Sequence, residues 1–215
     1  MGKLRHLDIG TGGEVSVNWF INGVKKRIKT EKLDKYNLMY PSILEGVSDY
    51  NCPTEAINNG KWNMDKCIFC RQCDLNPTGK QDTYSIDQKI PGIFKKSLYL
   101  YPVDSGTCGA CNVEFTTLFS PQYDSSRFKI FMANTPRHAD ALVVMGVHTE
   151  GMEQILREAY DAMPEPKIVI GLGACALSGG IIGRSAMEKY DIRIAGCPPT
   201  SASILNAIIE ARGKK

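Results

Sequence analysis

Residues 67–73 read Cys67-Ile-Phe-Cys70-Arg-Gln-Cys73. Three thiols spaced i, i+3 and i+6 suit a tight loop wrapped around one polynuclear cluster, and they would be crowded around one tetrahedral ion. A further thiol, Cys52, stands upstream in front of Pro53. Downstream, Cys108-Gly-Ala-Cys111 is a C-x2-C pair, while Cys175 and Cys197 stand singly in glycine-rich surroundings. The 215 residues hold eight cysteines in all. Met1 to Gly13 shows no apolar core of a secretory leader. A reducing compartment is therefore expected, in which metal or redox chemistry is a better account of eight thiols than disulfides are.

The first four cysteines resemble half of a two-cluster bacterial ferredoxin. That run is C-x2-C-x2-C-x3-C-P, and its fourth cysteine ligates the other cluster. Here the fourth position is Pro77, so the local motif is one ligand short. Cys52-Pro53 looks like the end of a second run, with Ser42, Glu45 and Ser48 where three more cysteines would stand. Losing those positions together with Pro77 deletes one whole site. It leaves Cys52, Cys67, Cys70 and Cys73 as a complete set for one 4Fe–4S cluster. Thr54 to Ile57 resembles the short helix after a ferredoxin Cys-Pro, Asn58-Asn-Gly60 reads as a turn, and 61–64 reads as a short strand. A zinc-stabilised interaction module, with four thiolates on a structural ion, is the alternative from a different class.

The later cysteines need a scaffold, and the flanking patterns supply one. Apolar runs at 97–102, 141–147 and 167–172, with a further run at 191–195, read as strands. The stretch 152–163 has helical spacing, with Ile155, Leu156, Ala159 and Met163 on one face. Residues 200–212 read as a second helix, with Pro198 and Pro199 at its start. Strands alternating with helices predict an α/β fold: a parallel sheet with helices on both faces. Ligands of such sheets bind beyond the carboxyl ends of the strands. Cys108, Cys111, Cys175 and Cys197 all follow strands, and the helix that begins near Cys111 would favour an anionic thiolate-bound group.

Four further segments carry a family resemblance: Thr135-Pro-Arg-His-Ala-Asp-Ala-Leu-Val-Val144, Asp161-Ala-Met-Pro-Glu-Pro-Lys167, Gly173-Ala-Cys175-Ala and Gly196-Cys197-Pro-Pro-Thr200. With Cys108 they resemble the small, cluster-bearing subunit of group 4 energy-converting nickel–iron hydrogenases. They equally resemble the homologous 20 kDa or B subunit of NADH:quinone oxidoreductase. Cys108-Gly-Ala-Cys111-Asn-Val-Glu114 is similar to the hydrogenase pattern C-x2-C-x2-E, and the quinone-reductase type carries adjacent cysteines there. The resemblance implies a flavodoxin-like domain at 97–215 whose Cys108, Cys111, Cys175 and Cys197 hold a 4Fe–4S cluster. It would follow a ferredoxin-like single-cluster domain and linker at 37–96 and an N-terminal arm at 1–36. The implied partners are a hydrogenase-type large subunit containing the active site, a ferredoxin-like donor subunit or soluble ferredoxin, and membrane-arm subunits. The implied location is the cytoplasmic side of the cell membrane, held there peripherally by those partners. An equivalent subunit of a nickel-free quinone or sulfur reductase is the rival within this class.

Composition excludes little. Hydrophobic residues at 43% and charged residues at 23% are ordinary for a globular chain, and a net charge of +3 gives no ground for a nucleic-acid partner. The longest uncharged run, 168–183, is rich in glycine and shorter than the roughly 20 apolar residues of a spanning helix. Glu114 is either a proton-handling group at the partner interface or an ordinary helix glutamate. His138 and Arg137 are candidates for hydrogen bonds near the second cluster, with a structural role as the alternative. Lys25-Lys-Arg-Ile-Lys29 reads as a solvated face. His6 and His148 suggest no role.

Overall fold

A computed structural model describes residues 51–58, 61–70, 72–73 and 83–213. The arm at 1–36, the degenerate run at Ser42–Ser48, the basic run at 25–29 and Pro77 lie outside the described residues.

Two central strands, β6 (Ala141–Met145) and β7 (Ile168–Leu172), are buried at every position. This is the burial of parallel strands covered on both faces, and it explains why they read as unbroken apolar runs. They sit in a six-stranded sheet with β3 (Tyr84–Ile86), β4 (Leu98–Asp104), β5 (Ile130–Met132) and β8 (Ile192–Ile194), in the order β3-β8-β7-β6-β4-β5. The pairs β4–β5, β4–β6, β6–β7 and β7–β8 are all parallel. Only β3 is antiparallel, with Ser85 opposite Arg193. Counting from β4, the five parallel strands run 2-1-3-4-5, the flavodoxin-type doubly wound order, whose switch point lies between the first and third strands.

Alternation of side chains sends the strands' residues to two cores. Leu142, Val144 and Val169 pack with Leu156 and Ala159 of the helix α2 (Glu150–Ala162) and with Met163 just past its end. Ile155 does not join them: it is 51% exposed, at the edge of the stripe, about 40° from Ala159 and about 100° from Leu156 around the helix. The last helix, α4 (Ser201–Ala211), touches β3 and β8 and is buried on nearly all sides. Thr200 caps it, its hydroxyl accepting from the Ser203 amide at 3.2 Å. Two shorter helices, α1 (Ala110–Thr117) and α3 (Ala174–Ser178), follow β4 and β7.

Near the front of the described chain, β1 (Ile57–Asn58) and β2 (Lys61–Trp62) form a small antiparallel hairpin. The expected helix at 54–57 is absent. The Glu55 amide turns back to the Cys52 carbonyl at 3.0 Å, Glu55 takes a positive φ of 53°, and Ile57 enters the hairpin. The later part of the stretch read as a linker is also ordered: 83–96 contains β3 and a 3₁₀ turn at Gly92–Lys95. No helix among the described residues is long and apolar enough to cross a membrane.

Arg212, just past α4, is 1% exposed. Its guanidinium donates to the carbonyls of Phe128, Phe94 and Lys95, so one side chain ties the end of the chain to two distant turns. Burial alone pushes its pKa down. Arg212→Leu leaves those carbonyls without this donor. It is expected to cost about 2–3 kcal/mol, read as a lower denaturant midpoint at unchanged slope.

Candidate functional site

The carboxyl ends of β4, β7 and β8 all lead into cysteines. Cys108 lies in the loop after β4, Cys111 in the first turn of α1, Cys175 in the first turn of α3, and Cys197 between β8 and α4. Cys108 and Cys197 are exposed, Cys175 is half-buried and Cys111 is buried. Burial, then Cys175, Cys197, Cys108 and Asp104, push the Cys111 thiol up to about 12. Burial and the same neighbours, Cys197 and Cys108, raise Cys175. Burial, Cys108 and Cys67 raise Cys197. Three strand ends thus bring four thiols together at one rim of the sheet.

Asp104 organises the start of this rim, and sequence reasoning missed it. One carboxylate oxygen accepts from the amides of Gly106 at 3.0 Å and Thr107 at 2.9 Å. The other accepts from the Thr107 hydroxyl and from Asn112 Nδ2, both at 2.8 Å. Burial acts to raise the Asp104 pKa, but these hydrogen bonds outweigh it and hold the carboxyl below its ordinary value. The available signal was an aspartate at a strand end before Ser-Gly-Thr, where such side chains bond the following amides. Thr149 adds a second tie: its hydroxyl donates to the Ser105 carbonyl at 2.7 Å and does not cap α2.

Gly173 brings the backbone up to the Cys111 sulfur. A Cβ on Gly173, at φ +89°, would lie 2.7 Å from Cys111 Sγ. The Gly196 carbonyl accepts from the Ala174 amide at 2.8 Å, which joins the Cys197 loop to the start of α3.

Glu114 sits one turn beyond Cys111 and reaches across to α4. Its Oε2 accepts from the Ser201 amide at 2.8 Å, and Ser201 Oγ lies 2.7 Å from the same oxygen. The carboxylate thereby caps α4 and clamps the Cys111 helix to the segment after Cys197. Arg137 and His138 are exposed on the 3₁₀ turn ahead of β6, at the amino end of the strands and away from the cysteine rim. His148 was given no role, yet its Nε2 lies 2.7 Å from Arg184 Nη2 and 3.6 Å from Glu153.

The front thiols also act on one another. Burial raises the Cys52 pKa, but the Thr54 hydroxyl and the amides of Thr54, Ala56 and Ile57 outweigh it and bring the thiol below its ordinary value. Burial raises Cys67 against hydrogen bonds from the Trp62 side chain and the Phe69 amide, with Cys52 and Cys70 adding to the rise. Burial, Cys67, Cys70 and Cys52 raise Cys73. Phe69 adopts φ +55°, and its amide reaches Cys67 Sγ at 3.4 Å. Among the described residues, no group of three His, Cys, Asp or Glu side chains is gathered tightly enough to hold a single metal ion.

A doubly wound sheet with four thiols at its carboxyl rim defines an α/β domain of the flavodoxin type. The chain belongs to the family of the 20 kDa subunit of NADH:ubiquinone oxidoreductase, whose profile matches residues 108–211, and it is an oxidoreductase subunit. It is 38% identical over 127 residues to an uncharacterized protein of Methanocaldococcus jannaschii, covering 56% of this chain and 86% of that one. It is 39% identical to formate hydrogenlyase subunit 7 of Escherichia coli, covering 55% of this chain but only half of the relative. It is 30% identical to the probable membrane-bound hydrogenase subunit mbhJ of Pyrococcus furiosus, over 64% of this chain and 89% of the relative.

Proposed function

We propose that this chain is the electron-transfer small subunit of a membrane-bound energy-converting nickel–iron hydrogenase complex. In this reading Cys52, Cys67, Cys70 and Cys73 hold one 4Fe–4S cluster, and Cys108, Cys111, Cys175 and Cys197 hold a second. What supports it is placement: Cys108, Cys111, Cys175 and Cys197 follow the carboxyl ends of β4, β7 and β8, the other four cysteines lie between 52 and 73, and none of the eight is left over. Four thiolates in one partly buried place need a cationic core to be tolerated, and an iron–sulfur cluster has thiolate ligation of this number. Bound clusters would supply one-electron exchange, between a ferredoxin-type donor at the front and a large subunit that joins two electrons and two protons into dihydrogen.

The chain's own groups do the rest. Asp104 and Glu114 hold the Cys111 helix in place from its two sides. The amides around Cys52 and the Trp62 and Phe69 donors at Cys67 supply hydrogen bonds to sulfur, which tune the potential of a bound cluster. Val113 on α1 and Ile181 and Ile182 after α3 are 64%, 65% and 70% exposed. They border the helices that carry Cys111 and Cys175, so they offer an apolar surface for the large subunit. The names of the Escherichia coli and Pyrococcus furiosus relatives and the spacing Cys108, Cys111, Glu114 support the hydrogenase branch, and Glu114 is its candidate for proton handling at that interface. Peripheral attachment at the cytoplasmic side of the membrane follows from the same reading.

The test is to purify the intact complex through a tag on this chain and assay dihydrogen uptake and evolution. Both are expected. Absence of both in a complex that retains its large subunit would remove the hydrogenase assignment and leave the electron carrier.

A further inference from the structure

Asp65 stands two residues before Cys67, and Arg193 stands on β8, four residues before Cys197. Their side chains meet at 2.6 Å, from Arg193 Nη1 to Asp65 Oδ2. The other arm of the fork, Nη2, reaches Asp87 Oδ1 at 3.2 Å. Asp87 is placed by the edge strand: Ser85 pairs with Arg193, and the amides of Asp87 and Gln88 both donate to the Asp191 carbonyl. Asp65 retains 19% of its side-chain exposure and Arg193 33%, so the pair is neither a loose surface contact nor sealed in the core. A guanidinium can bridge two carboxylates in one plane, which an ammonium cannot.

We propose that Arg193 is a positioning residue that fastens the front cysteine loop, through Asp65, onto the strand leading to Cys197, and so fixes the spacing between the two thiol sets. Were a cluster held at each set, one-electron transfer from the front site to the rim site would leave the first oxidised and the second reduced by one, and a constant spacing between the sets would keep that exchange uniform. The inference rests on the two-cluster reading for its purpose, but the fastening itself is a property of the polypeptide.

Two measurements on the full chain test it. In the chain without iron, limited proteolysis within 51–73 should run roughly twofold to fivefold faster in Asp65→Asn and in Arg193→Gln. The double variant should be no faster than Arg193→Gln alone, since that variant already removes the tie to Asp65. Arg193→Lys should fall between Arg193→Gln and the parent. In the iron-loaded chain, both single variants should keep the parent's iron content while the magnetic interaction between the two reduced centres weakens. Asp65→Asn leaves the sheet untouched, so it decides the matter if Arg193→Gln does not fold. Unchanged proteolysis in Asp65→Asn, or unchanged magnetic interaction at full iron content, overturns the proposal. A parent chain that takes up no iron overturns the two-cluster reading instead, and the proteolysis result still decides the fastening.

Discussion

A Cys111→Ser chain is expected to retain about four irons, where the two-cluster reading gives the parent about eight, and the four that remain should be those of the front site. Cys111 is the most enclosed of the rim thiols, with burial and three other cysteines acting on it. Its sulfur rests against the backbone of Gly173. A serine oxygen at this place is a harder and poorer ligand than thiolate for iron–sulfur chemistry, and no spare cysteine remains to replace it. The front set draws on Cys52, Cys67, Cys70 and Cys73 alone, so it should load normally. The reciprocal Cys67→Ser chain should keep only the rim irons. Iron analysis of the anaerobically loaded proteins reads both. Loss of all iron in either variant would mean that the eight thiols form one cooperative site.

Gly196→Ala is the second large effect expected. Gly196 has φ +154°, and a Cβ there would lie 2.3 Å from Pro199 N and Cα and 2.8 Å from the Pro198 carbonyl carbon. Those are backbone atoms of the loop that presents Cys197, so no side-chain rotation can relieve the overlap. Because the Gly196 carbonyl also receives the Ala174 amide, displacing it disturbs Cys175 as well. We expect a loss of about 3–4 kcal/mol in stability together with loss of the rim irons. Gly151→Ala is the control: a Cβ there meets nothing within 4 Å, and in the helix α2 it should be neutral or slightly stabilising. Thermal unfolding and iron content together read the comparison. Retention of rim iron in a normally stable Gly196→Ala chain would show that the loop's backbone can take another path.

The central scaffold was legible because its strands are buried on both faces and therefore carry uninterrupted apolar runs, as Ala141–Met145 and Ile168–Leu172 do. The edge strands were not. Ile130–Met132 and Tyr84–Ile86 are three residues each, and Tyr84–Ile86 is half-buried throughout, so no period stands out from the background. The helix α3 is five residues inside a glycine-rich run and is held by its packing more than by its sequence. At the front, the ferredoxin comparison suggested a helix after Cys52-Pro53, but the chain turns there to aim amides at the Cys52 sulfur. Cysteine spacing was readable because a short loop needs local rhythm. What joins the loops is not local: Glu114 to Ser201, Arg212 to Phe94 and Asp65 to Arg193 span 87, 118 and 128 residues. Such ties leave no trace in periodicity, and each is a polar side chain that in isolation looks like ordinary surface.

The most direct measurement is iron and sulfide analysis of the anaerobically purified full chain, with electron paramagnetic resonance of the same sample after reduction. Two 4Fe–4S centres predict about eight irons, about eight sulfides and two reduced-cluster signals. Zinc in place of iron, or a single signal with about four irons, would contradict the assignment of a cluster to each set of four cysteines.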